Sequence, residues 1–211
     1  MDILFANQRP DPAAWESRPF SPGVLDGPRA SDNFDRHLLR VAVELPGPPL
    51  ADGPFRRVAR SIAEYRIFPP HLVERVVRQA PLQAGDVVGL CYPLFLGIRM
   101  FVASRVIDVF DGATESGWRS GFTYRTLEGH AELGEETFCV EKDARTGAVV
   151  VSLKAWSRPG HWLTRIGFPY ARWCQVQAGK AAVRYLRLIA NGPTPARGQT
   201  IRVGSRPARI A

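Results

Sequence analysis

Only three cysteines, Cys91, Cys139 and Cys174, occur in 211 residues. They are too few and too far apart for a disulfide framework or a CxxC metal knuckle, so the expectation is reduced, buried thiols and no zinc site. No apolar run approaches the length of a membrane span, and the opening "MDILFANQRPDPAAW" lacks the apolar core of a secretory signal. A cytoplasmic location is the expectation that follows. Acids are missing from the C-terminal third: all 20 lie at or before Asp143, whereas 12 of the 28 Lys and Arg follow it. With 16 bases against 20 acids, the first 143 residues carry a net −4, and the last 68 a net +12. Such a division invites nucleic acid or an anionic surface as partner, but no nucleic-acid motif accompanies it. Acidic and basic parts that lie side by side account for it more simply.

What is present is enough apolar material, 45% of the residues, for one sizeable core. Residues 1–54 are punctuated by Pro and Gly around one apolar segment, "HLLRVAVEL", and read as an arm wrapped on the main domain. Residues 55–190 read as that domain. Residues 191–211, with four Arg among Pro and Gly, read as a basic tail that is mobile or loosely docked. Phe55, Val58, Ala59 and Ile62 have helical spacing, while "PPHLVERVVRQAP" suits a helix or a strand. Five β-rich segments follow from Gly85 to Pro159 with no helix-length insert between them, which predicts an antiparallel meander.

A long helix then runs from about Pro169 to the stop signal "NGP". Its apolar arc gathers Tyr170, Cys174, Ala178, Ala181, Tyr185, Leu188 and Ile189, beside a polar arc of Arg172, Lys180, Arg184 and Arg187. The fold class is therefore α+β, a curved antiparallel β-sheet wrapped around a long C-terminal helix. Ala178, Gly179, Ala181 and Ala182 make the middle of that helix small. Either they let the sheet approach closely, or they leave a cavity for an apolar ligand.

The chemistry is concentrated in "GFTYRTLEGHAELGEETFCVEKD", Gly121 to Asp143, which places His130 and four Glu within nine residues. Alternation puts Phe122, Tyr124 and Thr126 on one strand face, and it separates Glu135 from Glu136, so one of these two must turn inward. Glu135 or Glu136 could instead pair with Arg125 or Arg158. A metal site built on His130, Glu132 and Glu135 or Glu136 would lack the further His or Cys that transition metals want, so no metal is expected. Ser157 and Cys139 have no local setting for a nucleophile. Arg158, in "SRPGHW", stands where the last strand hands over to the helix. It either receives an anionic ligand group or pins that corner.

These residues resemble the uncharacterised bacterial and plant family known as domain of unknown function nineteen-ninety. The shared pattern falls on Gly121, Phe122, Tyr124, Thr126, Leu127, Gly129, His130, Glu132, Gly134, Glu135 and Glu136, then on Ser157, Arg158 and Pro159, and on Gln175 early in the last helix. Ala131 stands where the family pattern has Pro. The resemblance spans roughly Gly53 to Ala190.

Strand order and closing helix are also similar to the helix-grip superfamily of START and polyketide-cyclase-like proteins. That architecture implies a small hydrophobic or amphipathic molecule held between sheet and helix, with Tyr124, Thr126, His130, Glu132, Glu135, Glu136, Arg158 and Gln175 as candidate contacts and no cofactor. One alternative is an enzyme of cyclase, isomerase or hydrolase type using His130 and a Glu. Another is a basic C-terminal half that binds nucleic acid or anionic lipid.

Overall fold

Alternating apolar and polar residues build one antiparallel sheet in the computed structural model, which describes residues 1–5, 8–94, 96–160 and 168–192. Its strands are β1 (Asp2–Leu4), β2 (Asn33–Val43), β3 (Glu74–Val77), β4 (Val87–Pro93), β5 (Arg99–Thr114), β6 (Gly117–Thr126), β7 (Glu132–Asp143) and β8 (Ala148–Pro159). From β3 to β8 each strand pairs with the next, and β2 returns to β8, giving the order β2-β8-β7-β6-β5-β4-β3. β1 pairs with β5 at Arg99 to Phe101, beyond the point where β6 has turned away. The ambiguous "PPHLVERVVRQAP" thus supplies a short edge strand. "HLLRVAVEL" supplies an 11-residue strand of the main sheet, so the residues read as an arm contribute β2 as well.

The helices among the described residues are α1 (Ala13–Glu16), α2 (Pro54–Ala63) and α3 (Phe168–Asn191). α2 opens on Pro54, and its N-cap, Gly53, has no side chain to offer. Glu44, at the end of β2, takes over that role, accepting the Phe55 N–H at 2.6 Å and the Leu50 N–H at 3.3 Å. The Lys142 ammonium lies 3.2 Å from the same carboxylate and donates to the carbonyls of Leu45, Gly47 and Pro48 at 2.8–3.0 Å. A Pro-rich turn poor in backbone donors is thereby folded around one buried cation.

Two helices share the concave face. α2 and the following Tyr65 cover Phe122 and Phe138, while α3 packs over β2 and β8 and against α2. α3 buries Ala182, Val183, Leu186, Ile189 and Ala190, and leaves Leu188 70% exposed. Its buried stripe is therefore rotated from the expected arc, because α3 must meet α2 as well as the sheet. At Gly179 the small residue serves close packing: an added Cβ would lie 2.4 Å from Nε2 of His37 on β2. The expected helix start at Pro169 falls inside α3, the side chain of Tyr170 lies outside the described residues, and so does the basic tail from residue 193.

Residues 1–32 cover part of the convex face. Trp15 packs with Phe101, Ala103 and Leu127, and Val24 with Leu133 and Trp156. Cys91 and Cys139 are buried free thiols and Cys174 is half-buried.

Candidate functional site

Strand register sets one row of side chains across the concave face: Tyr124 on β6, Glu136 on β7, Ala155 on β8 and Asp35 on β2. Four residues earlier on β7, Glu132 shares that face. The Tyr124 hydroxyl donates to Oε2 of Glu136 at 2.6 Å. Tyr65, in a left-handed conformation just after α2, stands beside Tyr124, their rings meeting edge to face at 6.5 Å. Tyr92 of β4 lies close enough to feel the charge of both Glu136 and Glu132.

α3 closes the row from above. Gln175 donates through Nε2 to Oε2 of Glu132 at 2.8 Å and to the Ser157 hydroxyl at 3.0 Å, and its Oε1 accepts from Arg172 at 2.9 Å. Arg172 forks onto both oxygens of Asp35, with Nη2 to Oδ1 at 2.7 Å. Arg172 and Gln175, one helical turn apart, thus clasp β2, β7 and β8 together.

Enclosure sets the protonation chemistry. Burial pushes the Glu136 carboxyl up to about 7; the Tyr124 bond opposes the rise, and Asp35 and Glu132 add to it. Burial likewise pushes Glu132 up to about 7 against the Ser157 hydrogen bond and Arg172, with Asp35 adding to the rise. Burial pushes His130 down to about 4, so its imidazole is neutral near pH 7. Its Nδ1 accepts the Glu132 N–H at 3.0 Å, which braces the turn.

Of the eight candidates, Tyr124, Glu132, Glu136 and Gln175 come together, with His130 at the adjoining turn. Thr126 is consumed by structure, accepting the Gly134 N–H at 3.1 Å and bonding Ser21 at 3.0 Å. Glu135 and Arg158 face the other way. Glu135 accepts from Arg125 Nε at 2.6 Å. Arg158 donates to Asp32 and to the Gly23 carbonyl, each at 2.7 Å, with its guanidinium over the Trp156 ring. Of the readings offered for Arg158, its partners fit the pinned corner, since strand alternation sends it to the convex side with Leu133 and Trp156 and away from Glu136. Arg172 is the cation on the concave side.

Asp35, Tyr65, Tyr92 and Arg172 were not anticipated. The signal for Asp35 was an acid in phase with His37 and Leu39 on an apolar strand. For Tyr92 it was a phenol in phase with Val88 and Leu90. Among the described residues no group of His, Cys, Asp and Glu is placed to hold a metal ion.

The concave face differs from end to end. Phe122, Phe138 and Leu153 are at most 1% exposed beneath the two helices. Asp35, Tyr92, Glu136, Ala155 and Gln175, further along the same face, are only half-buried.

A curved antiparallel sheet closed by a C-terminal helix, with a polar cluster between them, is a helix-grip arrangement. The chain belongs to the family described as Domain of unknown function (DUF1990), whose model matches residues 31–188, β2 included. It is 28% identical over 128 residues to a UPF0548 protein of Dictyostelium discoideum, a match covering 57% of this chain and 59% of that one. It is 38% identical over 61 residues to a UPF0548 protein of Arabidopsis thaliana, covering 29% and 27%. The chain thus spans less than two thirds of the length of either relative. Its fold is similar to that of the ginseng major latex-like protein 151 from Panax ginseng, with a TM-score of 0.39, 14% identity, and coverage of 61% of this chain and 80% of that one. A likeness of that strength carries no argument about function. No helix among the described residues is long and apolar enough to cross a membrane.

Proposed function

We propose that the protein binds a small apolar or amphipathic molecule in a recess between the concave face of the sheet and the N-terminal half of α3. The observation that carries this is the contrast along that face. Glu136 is enclosed enough for burial to raise its carboxyl to about 7, yet it and its row neighbour Ala155 keep accessible surface. Enclosed residues that keep such surface line a space rather than a packed core. Phe68 and Met100, half-buried and packed against the main core, give the space an apolar wall, and Tyr92, Glu132, Glu136 and Gln175 give it a few placed polar groups.

Ala155→Leu tests the space directly, read by Nile red fluorescence and by thermal denaturation. The added side chain should abolish dye binding and leave stability unchanged or higher. A loss of ~1–3 kcal/mol, the cost of overpacking, would show that the interior is already full.

The placement of Glu132 and Glu136 favours one second reading, acid–base catalysis on the bound molecule. Two carboxyls near 7 can each give or take a proton at neutral pH. His130, neutral and committed to the turn, is not the partner in that reading. Glu136 is, with Tyr124 as its donor.

A further inference from the structure

The polar end of the recess is unevenly charged. Asp35 stands close enough to raise the carboxyls of both Glu132 and Glu136, and Glu132 adds to the rise at Glu136. Arg172, the cation that acts on Glu132, is already forked onto Asp35. Glu132 accepts from the neutral Gln175 amide, and Glu136 accepts from the neutral Tyr124 phenol. Among the described residues no ion pair joins either Glu to a cation, and the Tyr124 bond to Oε2 leaves Oε1 of Glu136 without a donor among them.

Tyr92 supplies a separate observation. Burial pushes its phenol well above the ordinary value, so it remains a neutral hydroxyl, and the charges of Glu136 and Glu132 act on it. Tyr92 is half-buried, and its hydroxyl makes no hydrogen bond among the described residues, which leaves it able to meet a ligand. Two enclosed carboxyls that no cation among the described residues pairs with, and a phenol beside them without a hydrogen bond, describe a site whose missing member carries hydrogen-bond donors and positive charge.

We propose that the recess takes an organic amine, a primary or secondary ammonium carried on an apolar body, held between Glu136 and Glu132. This rests on the ligand-recess reading above. The ammonium N–H groups meet the two carboxylates, and its charge supplies the counter-ion that no described residue pairs with them. The Tyr92 hydroxyl accepts a further N–H, and the apolar body lies toward Phe68 and Met100. An acid of the same shape would set a third carboxylate against two and be rejected. A neutral alcohol would bind through its body alone.

Three isosteric probes separate these cases by isothermal titration calorimetry at pH 8: 2-naphthylmethylamine, 2-naphthylmethanol and 2-naphthoic acid. The amine should bind about tenfold or more tighter than the alcohol, and the acid more weakly than either. Glu136→Gln should cost the amine about tenfold in affinity while leaving the alcohol within about threefold. Glu132→Gln gives the same reading should the first variant fold poorly. An alcohol or acid that binds as tightly as the amine overturns the inference, as does amine affinity unchanged in both variants. Silence from all three probes while Nile red still binds ends the amine inference alone. Silence from the probes and the dye together ends the recess reading with it.

Discussion

Glu136 lowers the stability of the fold it sits in, and the direction of its pH dependence follows from that. Below its ordinary value of 4.5 both folded and unfolded chains hold the proton, so the site costs nothing. Between 4.5 and about 7 the folded chain keeps a proton that the unfolded chain has released, so stability falls as pH rises; above 7 the cost is constant. The full cost is on the order of 3 kcal/mol, and Glu132 adds in the same direction. Glu136→Gln, which keeps an acceptor for Tyr124, should therefore raise the melting temperature at pH 8 and leave it nearly unchanged at pH 4. A lower melting temperature at pH 8 would mean that the carboxylate is held by more than Tyr124.

Lys142 is the opposite case, a buried charge with four partners and no exposed side-chain surface. Lys142→Met should cost about 3–5 kcal/mol in chemical denaturation, because Glu44 and three carbonyls lose their donor. That one of Glu135 and Glu136 turns inward was legible from the period of the strand. Which one does so was not, because a register of two fixes alternation and leaves the choice of face to the packing of Phe122 and Phe138 beneath α2.

At the scale of elements, the five strands from Gly85 onward were legible because β-branched and aromatic residues alternate between strong turn signals. The share of the concave face held by α2 was not, since a ten-residue amphipathic helix does not show which surface it will cover. That omission moved the buried stripe of α3 and with it the meaning of Gly179. A helix-interior Gly costs roughly 1 kcal/mol relative to Ala, so Gly179→Ala would stabilise an isolated helix. Here the new methyl meets the His37 ring at 2.4 Å, and either α3 or the ring must shift. Gly179→Ala alone should lower stability by about 1 kcal/mol, and the same change in a His37→Ala background should raise it. Equal effects in both backgrounds would show that His37 does not set the approach of α3 to β2.

At the scale of the whole molecule, the acidic and basic parts of the chain are joined at two ion pairs among the described residues. Arg158 meets Asp32 and Arg172 meets Asp35, in each case a base after Asp143 against an acid near the start of β2. The composition showed the imbalance but could not show this pairing, which depends on β2 returning to β8. The same return lays residues 1–32 over the convex face, where Trp15 is fully buried against Phe101 and Leu127, and Asp32 ties the segment to Arg158. The family match begins only at residue 31, so a chain trimmed to residues 31–211 would look complete by that criterion. Packing argues otherwise. Trimming removes Trp15, Phe20 and Val24 and bares Phe101, Leu127, Leu133 and Trp156, and losing one large buried aromatic alone costs ~3–5 kcal/mol. The trimmed chain should unfold at a markedly lower denaturant concentration than the full chain and bind hydrophobic dyes on its convex side even with Ala155→Leu closing the proposed recess. A trimmed chain with the denaturation midpoint of the full one would make the N-terminal segment a passive cover, and the apolar contacts of Trp15 would then contribute nothing to holding the sheet.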